Sequence, residues 1–355
     1  MKWMDEANQA NEGEYVMRTS KYAVIARYGG PEVLEIVERT VPEPQPGEVL
    51  IRNLASTVSI GDVWIRNGQL AFPFRKKAPK SPVTPGSEVV GIVEKTGAGV
   101  SAFHHGQLVA ALTVSGGGYS EHVCLDQNEI MAVPDGIEPE DAACLTLNYV
   151  LAYRMLHQAA NVREGGSIVV LGASGAIGTA LLQLGRISGL DMVGTASGTK
   201  HNFVSSLGAI PIDYRHADYV REIKNIRPDG VDAVFDGAAA DIGQSYSLLK
   251  SKGRLIVYGF SSPKLMQMFP SLIRLLALRL VPDGKKAAFF SLLFAHTKNP
   301  QLWKEDMNRL FQLLLDRSIQ PAIAHRFSLE DIRSAHEALE QGSIPGRIIL
   351  AMNRS

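Results

Sequence analysis

The chain has 355 residues, enough for two domains of ordinary size, and its 45% hydrophobic and 20% charged content is that of a globular protein with sizeable cores. Lysine plus arginine equals aspartate plus glutamate at 36 each, so no net field draws the chain to nucleic acid or to anionic lipid. The two cysteines, Cys124 and Cys144, form neither a CxxC metal motif nor a disulfide framework, which fits a reducing, cytoplasmic setting.

Residues 1–20 are polar and lack the apolar core of a signal peptide. They are expected to be a flexible N-terminal extension, with Met17 an alternative start. Residues 21–145 read as short strands with turn chemistry between them. Tyr22 to Ala26 alternates before a Gly29-Gly30-Pro31 turn, and Glu48 to Arg52 follows Pro44-Gln45-Pro46-Gly47. Runs at 89–94 and 108–112 continue an all-β, barrel-like unit. From about Asn148 the texture changes to strand–helix alternation. Strands are expected at 168–171, 192–195, 210–213, 233–236 and 254–258, with helices beginning near Ile177, Lys200, Tyr219 and Ile242. This is the pattern of a doubly wound parallel sheet of the Rossmann type. A sixth strand is expected at 288–294. Helical spacing over 303–315 puts Leu302, Leu310, Leu313 and Leu314 on one side. A further helix over 328–339 carries Ser328 as its cap, with Asp331 three residues on. The last strand, 347–351, returns to the first domain. No run of 18 apolar residues exists to span a membrane: the longest, 268–281, is broken by Pro270, Arg274 and Arg279.

The chemistry begins at residues 166–178, GSIVVLGASGAIG, an apolar strand entering a glycine turn ahead of a helix of small and apolar residues. Such a turn lets the backbone N–H groups of Ser174, Gly175, Ala176 and Ile177 close on a diphosphate at a positively polarised helix start. Gly175 has no Cβ to block that approach, and Gly178 lets the helix pack on the strand. The alternative is a tight strand–helix turn without a ligand. About 20 residues on, NAD sites place a carboxylate against the ribose 2′-hydroxyl. Here the second strand ends in Thr195-Ala196-Ser197 with no acid, and Asp191 comes too early. Ser197 and Lys200 offer donors and positive charge to a 2′-phosphate, and Tyr214 or Arg215 can flank it. The pattern favours NADP(H). For Lys200 alone, a solvated lysine at a helix start is the alternative.

With these motifs in order, the chain resembles the zinc-free quinone oxidoreductase branch of the medium-chain dehydrogenase/reductase superfamily. The match is carried over roughly residues 20–355 by YGGPEVL (28–34), DVWIRNG (62–68), PGSEVVGIV (85–93), GYSEH (118–122), LAYRML (151–156), ASGAIG (173–178) and GRIIL (346–350). The apolar 265–295 stretch is similar to that of vesicle-amine-transport-protein-like members. The resemblance implies a GroES-like β-barrel catalytic domain (21–147 and 298–355) and a Rossmann NADP(H)-binding domain (148–297). It also implies a homodimer joined through the sixth strand.

The places that zinc-dependent relatives give to a catalytic Cys and His are Ser59 and Ser87, and no four-cysteine lobe is present, so no metal is expected. Glu88 is expected to brace the backbone, and His104-His105 to face solvent. Without a Lewis acid, a quinone or α,β-unsaturated carbonyl is the accessible hydride acceptor, because the charge spreads to a distant oxygen. The family lines its nicotinamide pocket with an Asn and a Tyr. The matching positions are Ser59, which retains a hydroxyl, and Trp64, which offers a flat wall but no proton. The alternative for Ser59 is a turn serine capping local backbone, and for Trp64 a core aromatic. Asn148 and Tyr149 are further pocket candidates. Gly259 and Phe260 stand where the family passes the nicotinamide over the sheet edge, with Phe260 alternatively core. Arg347 either reaches the cofactor or is a solvated strand-edge arginine. The 266–294 segment is core, a dimer seam, or a lid over a lipophilic substrate. The expected activity is NADPH-dependent reduction of quinones or enones. The rival reading is an NADP(H)-binding interaction protein with a drifted pocket. An enoyl-thioester reductase would need a cationic patch that is not evident.

Overall fold

The computed structural model describes residues 18–69, 82–215, 218–260, 265–292, 295–296, 299–342 and 345–352. Residues 1–17 of the expected N-terminal extension, Phe294 and the expected domain boundary at 297–298 lie outside these, while Thr19 and Ser20 already belong to the first strand. In chain order, β1 (Thr19–Ile25) and β2 (Leu34–Thr40) form an antiparallel ribbon, and β3 (Glu48–Val58) leads into the short helix α1 (Ile60–Arg66). Strands β4 (Glu88–Thr96), β5 (Leu108–Leu112), β6 (His122–Asp126) and β7 (Ile130–Ala132) follow. A helical run then carries α2 (Pro139–Cys144) and α3 (Val150–Arg154), each followed by a π-wound turn, Leu145–Tyr149 and Met155–Ala160. The alternating part holds β8 (Ser167–Leu171), α4 (Ala176–Ile187), β9 (Asp191–Ala196), α5 (His201–Ser206), β10 (Ile210–Asp213), α6 (Tyr219–Ile226), β11 (Val231–Asp236), α7 (Ile242–Ser247), β12 (Leu249–Val257), α8 (Leu265–Leu278) and β13 (Lys286–Phe289). Helix α9 (Pro300–Leu315), β14 (Ile323–Ser328), α10 (Ile332–Gln341) and β15 (Arg347–Ala351) complete it.

Strands β8 to β13 form one parallel sheet in the order β10-β9-β8-β11-β12-β13, the doubly wound arrangement in which the chain reverses direction beside β8. Its central strands are apolar on both faces because both are covered. Ile168 and Val170 face a core shared with α3, α4 and α9, whereas Val169 and Val234 face one shared with α6, α7 and α8. The second sheet runs β14-β15-β3-β4-β5-β7, with β6 also on β3. Strand β15 therefore returns to this second sheet, built mostly from the N-terminal strands, pairing Ile348 with Val58 at the end of β3. The GroES-like and Rossmann-like parts expected from the sequence are both present.

Several local expectations are corrected. The sixth strand is Lys286–Phe289, not 288–294; the Phe290 N–H makes its last bond, to the Val257 carbonyl, and the strand ends there. Helix α9 buries Trp303, Met307, Leu310 and Phe311, while Leu302 is 37% exposed. The indole of Trp303 reaches the Thr146 carbonyl at 2.8 Å, and that anchor sets the rotation of the helix. Ser328 closes a strand: β14 pairs in register with β15 through Ser328, and α10 starts four residues later with Asp331 at its cap position. Ser328 still contacts Asp331, its Oγ accepting from the Asp331 N–H at 3.3 Å. Helix α8 lies on the sheet face opposite α4. Leu275 is core there, in one cluster with Phe260 and Ala287, and Leu276 is 61% exposed.

Candidate active site

The turn from β8 to α4 is built by its glycines. Gly172 has φ +78°, a conformation open chiefly to glycine. Its N–H donates to Thr195 Oγ1 at 3.0 Å and the Ala173 N–H donates to the Thr195 carbonyl at 2.8 Å, so β9 braces the turn. A Cβ on Gly178 would lie 2.4 Å from the Gly172 carbonyl oxygen, so only glycine lets α4 sit this close to the strand. At Gly175 a Cβ would meet only the Gly172 carbonyl oxygen, at 3.3 Å. Helix α4 starts at Gly175 with no side-chain cap, leaving its first N–H groups and the positive end of its dipole without an internal partner. One turn in, the buried Thr179 Oγ1 has no hydrogen-bond partner among the described residues. Bare N–H groups, an absent Cβ and an orphaned hydroxyl fit a dinucleotide diphosphate.

Facing this helix start across a narrow crevice are Cys144, Asn148, Tyr149, Gly346 and Arg347. Asn148 and Tyr149 come from the π-wound turn after α2, a geometry found often at functional positions. The Tyr149 hydroxyl donates to Gln183 Oε1 at 3.0 Å, and burial pushes its ionisation up out of reach, so it orients rather than titrates. Gln183 also links the Gln320 backbone, at 2.7 and 2.8 Å, tying α4 to the segment before β14. The Gly346 N–H reaches the Ser174 carbonyl at 3.3 Å, so the glycine turn and the start of β15 touch directly.

Below the crevice, Arg347 is buried and donates to Glu88 Oε1 and Thr57 Oγ1; it is no solvated edge arginine. Glu88 braces this guanidinium and the Thr57 hydroxyl, not the backbone. Burial pushes the Glu88 carboxyl up to about 7 against the pull of Arg347. Ser59 caps α1 in a capping box with Asp62: its Oγ accepts from the Asp62 N–H at 3.3 Å and lies 2.5 Å from Asp62 Oδ2. Trp64 is half-buried on α1 and belongs to none of the apolar cores, so it is not the core aromatic the sequence left open. Among the described residues no three His, Cys, Asp or Glu side chains gather as a metal site.

At the far end of the turn, Ser197 is buried and Lys200 Nζ donates to the Gly342 carbonyl at 2.9 Å. Tyr214 is 50% exposed at the end of β10, with the Arg215 guanidinium 6.0 Å from its ring centre. Asp191, too early to meet a ribose, pairs with Arg227. Asp213 went unremarked in the sequence; it accepts from the Gly198 N–H at 2.9 Å. Gly259 has no room for a Cβ, which would lie 2.3 Å from the Gly237 carbonyl oxygen. The Phe260 ring is in the far-face core, stacked 5.2 Å from Phe289, so only its backbone stands at the sheet edge. The turn, Asn148 and Arg347 thus come together, the Ser197–Lys200–Tyr214 group stands apart at one end, and Phe260 drops out. Sequence reasoning missed Thr179, Gln183 and Asp62. The Ser-x-x-Asp spacing of 59 and 62 is a capping-box signal that points to Asp62; nothing local marks the other two.

The model of the alcohol dehydrogenase GroES-like domain matches residues 45–135, and the zinc-binding dehydrogenase model matches residues 207–350. A synaptic vesicle membrane protein VAT-1 homolog-like from Mus musculus is 32% identical over 94% of this chain and 81% of its own length. The quinone oxidoreductase of Rattus norvegicus is 30% identical over 96% of this chain and 99% of its own. Among solved structures, Escherichia coli quinone oxidoreductase complexed with NADPH superposes with a TM-score of 0.83 at 26% identity, over 93% of this chain and 99% of that one.

Proposed function

The chain belongs to the zinc-free quinone oxidoreductase branch of the medium-chain dehydrogenase/reductase superfamily, and from that premise we propose an NADPH-dependent reductase that delivers hydride to quinones or α,β-unsaturated carbonyl compounds. The observation that carries the proposal is the uncapped start of α4, with its Cβ-free Gly175 and unpartnered Thr179 Oγ1, facing Asn148 and Arg347 across the crevice. A bound reduced nicotinamide supplies the hydride. The N–H groups of Ala176 and Ile177 would hold its diphosphate, and Ser197, Lys200 and Tyr214 its 2′-phosphate. Gly259, with no side chain, lets the cofactor cross the sheet edge, and Asn148 and Arg347 line the approach. Ser59 would place a hydroxyl against the acceptor oxygen, and Trp64 would wall the pocket against water. Catalysis without zinc is part of the proposal, because serine hydroxyls at 59 and 87 are poor zinc ligands. So are the division into 21–147 with 298–355 and 148–297, a cytoplasmic setting, and a homodimer joined along the edge strand Lys286–Phe289.

Mixing the protein with NADPH and a panel of quinones and enones, and following the absorbance of the reduced cofactor, tests the reading. Turnover of an acceptor is expected. Tight cofactor binding with every acceptor ignored would instead support an NADP(H)-binding interaction protein, the reading favoured by Ser59 and Trp64 in place of the family's Asn and Tyr. Lys200→Ala is expected to raise the KM for NADPH about 10- to 100-fold, the worth of a charge-assisted phosphate contact. The KM for NADH should stay nearly unchanged; an equal shift for both would remove Lys200 from the phosphate site.

A further inference from the structure

Arg347 stands between two places for negative charge. One of its terminal nitrogens donates to Glu88 Oε1 and to Thr57 Oγ1, and the Thr57 hydroxyl donates to Glu88 Oε1 at 2.7 Å. The same arginine lines the crevice with Ala176 and Thr179, and its Nε has no partner among the described residues. Strand β15 fixes it there. The Arg347 N–H donates to the Ala322 carbonyl at 2.7 Å, and the Gly346 N–H reaches the Ser174 carbonyl of the glycine turn at 3.3 Å. The guanidinium that neutralises Glu88 is thus also the cation on the crevice that holds the uncapped start of α4.

Glu88 has little else to hold its charge. It is fully buried, and its Oε2 has no hydrogen-bond partner among the described residues. Arg347 on β15 is the cation that faces it. From α1 comes Asp62, whose carboxylate accepts from the Ser59 N–H at 2.8 Å, the Ser59 hydroxyl at 2.5 Å and the Gly86 N–H at 3.2 Å. From the chain before β6 comes Tyr119 and from α2 comes Cys144; burial pushes both up, Cys144 to about 12, so both are neutral. Two buried carboxyls therefore lie near one guanidinium. Asp62 keeps its charge on three donors, and Glu88, with one oxygen bare, is the carboxyl that gives way to a proton.

We propose that cofactor binding in this crevice is coupled to proton uptake by Glu88, which makes Glu88 a positioning residue for the charge of Arg347. This rests on the cofactor reading above, with the diphosphate at the start of α4. A diphosphate there and the Glu88 carboxylate draw on the same guanidinium. Glu88 cannot turn to water, so a proton from the solvent bonds to its bare Oε2. The neutral acid leaves the whole Arg347 charge to the cofactor, and no carboxylate is stranded in the interior. The sign with pH follows: binding that takes up a proton weakens as pH rises. Ser197, Lys200 and Tyr214 stand apart at the far end of the turn, so the 2′-phosphate has no part in the coupling.

Calorimetric titration with NADPH at about pH 8, in two buffers of different ionisation heat, counts the protons. At that pH the 2′-phosphate is already fully ionised, and so is most of Glu88, whose carboxyl titrates at about 7. Uptake of about half a proton or more per NADPH is expected, and affinity should fall about tenfold between pH 7 and pH 9. Saturating NADH should give the same uptake. Glu88→Gln keeps the volume and an acceptor for Thr57 and Arg347; it should bind NADPH with no uptake and with an affinity flat over that span. The wild-type proton count decides the matter even if Glu88→Gln fails to fold. A binding heat independent of the buffer overturns the proposal. So does uptake that persists in Glu88→Gln, or uptake seen with NADPH and missing with NADH, which would move the proton to the 2′-phosphate end. Wild-type protein that binds neither nucleotide overturns the cofactor reading beneath it.

Discussion

Replacing Arg347 with methionine is expected to lower stability by about 3–5 kcal/mol near neutral pH, and by distinctly less in acid. The side chain keeps most of its length and apolar stem, so the loss isolates the charge. In the native protein Glu88 is fully buried, and its compensation is the Arg347 guanidinium and the Thr57 hydroxyl. Removing the guanidinium leaves a carboxylate that water cannot reach. The sign with pH follows from the ionisation. The Glu88 carboxyl is raised to about 7 even with Arg347 present, so the folded state already holds a proton that the unfolded state sheds near the ordinary glutamate value. Stability is unburdened below that ordinary value, falls as pH rises toward the native one, and stays reduced above it. Without Arg347 the native value climbs further, so the burden of the variant grows over a wider span of rising pH. Thermal melts of both proteins at about pH 5 and about pH 8 should show the gap widening with pH. Equal gaps at both would mean that Glu88 does not carry the effect.

That pair could not have been read from the chain. Glu88 and Arg347 are 259 residues apart and meet because β15 returns to pair with β3, which also pairs with β4. The sequence flagged each residue alone: it gave Glu88 to the backbone, left Arg347 open between the cofactor and solvent, and paired neither with the other. What was legible was local. The glycines at 172, 175 and 178 build a strand–turn–helix from short-range sterics, and the alternation after Asn148 gave the parallel sheet and the starts of its helices. Local patterns misled where tertiary pairing overrode them. Ser328-x-x-Asp331 looks like a helix start, yet pairing with β15 keeps the backbone extended through Ser328. Leu302 fits a leucine stripe, but the Trp303 bond to the Thr146 carbonyl turns the helix so that Trp303, Met307 and Leu310 face inward. Phe260 follows the strand end where the family passes its nicotinamide, but a ring at that position has a second choice, and the far-face core with Phe289 takes it.

Two glycines three residues apart should answer differently to the same substitution. Gly175→Val is expected to leave the fold within about 1 kcal/mol of wild type, the scale of losing a glycine cap. Its φ of −75° and ψ of 168° suit valine, and its Cβ would meet only the Gly172 carbonyl oxygen at 3.3 Å. The isopropyl group would nevertheless stand over the first N–H groups of α4, where a diphosphate must approach, and NADPH affinity should fall about 100-fold or more, roughly 3 kcal/mol. Gly178→Val meets backbone instead: its Cβ would lie 2.4 Å from the Gly172 carbonyl oxygen and 2.8 Å from Ala173 Cα, atoms fixed by the β8 turn. Helix α4 would have to move off the sheet, at a cost of about 3 kcal/mol or more. Thermal melts and titration of NADPH fluorescence separate the two. One variant should melt like wild type and fail to bind; the other should melt early whether or not cofactor is added. A Gly175→Val protein that binds NADPH as wild type does would place the diphosphate elsewhere and remove the foundation of the proposed cofactor site.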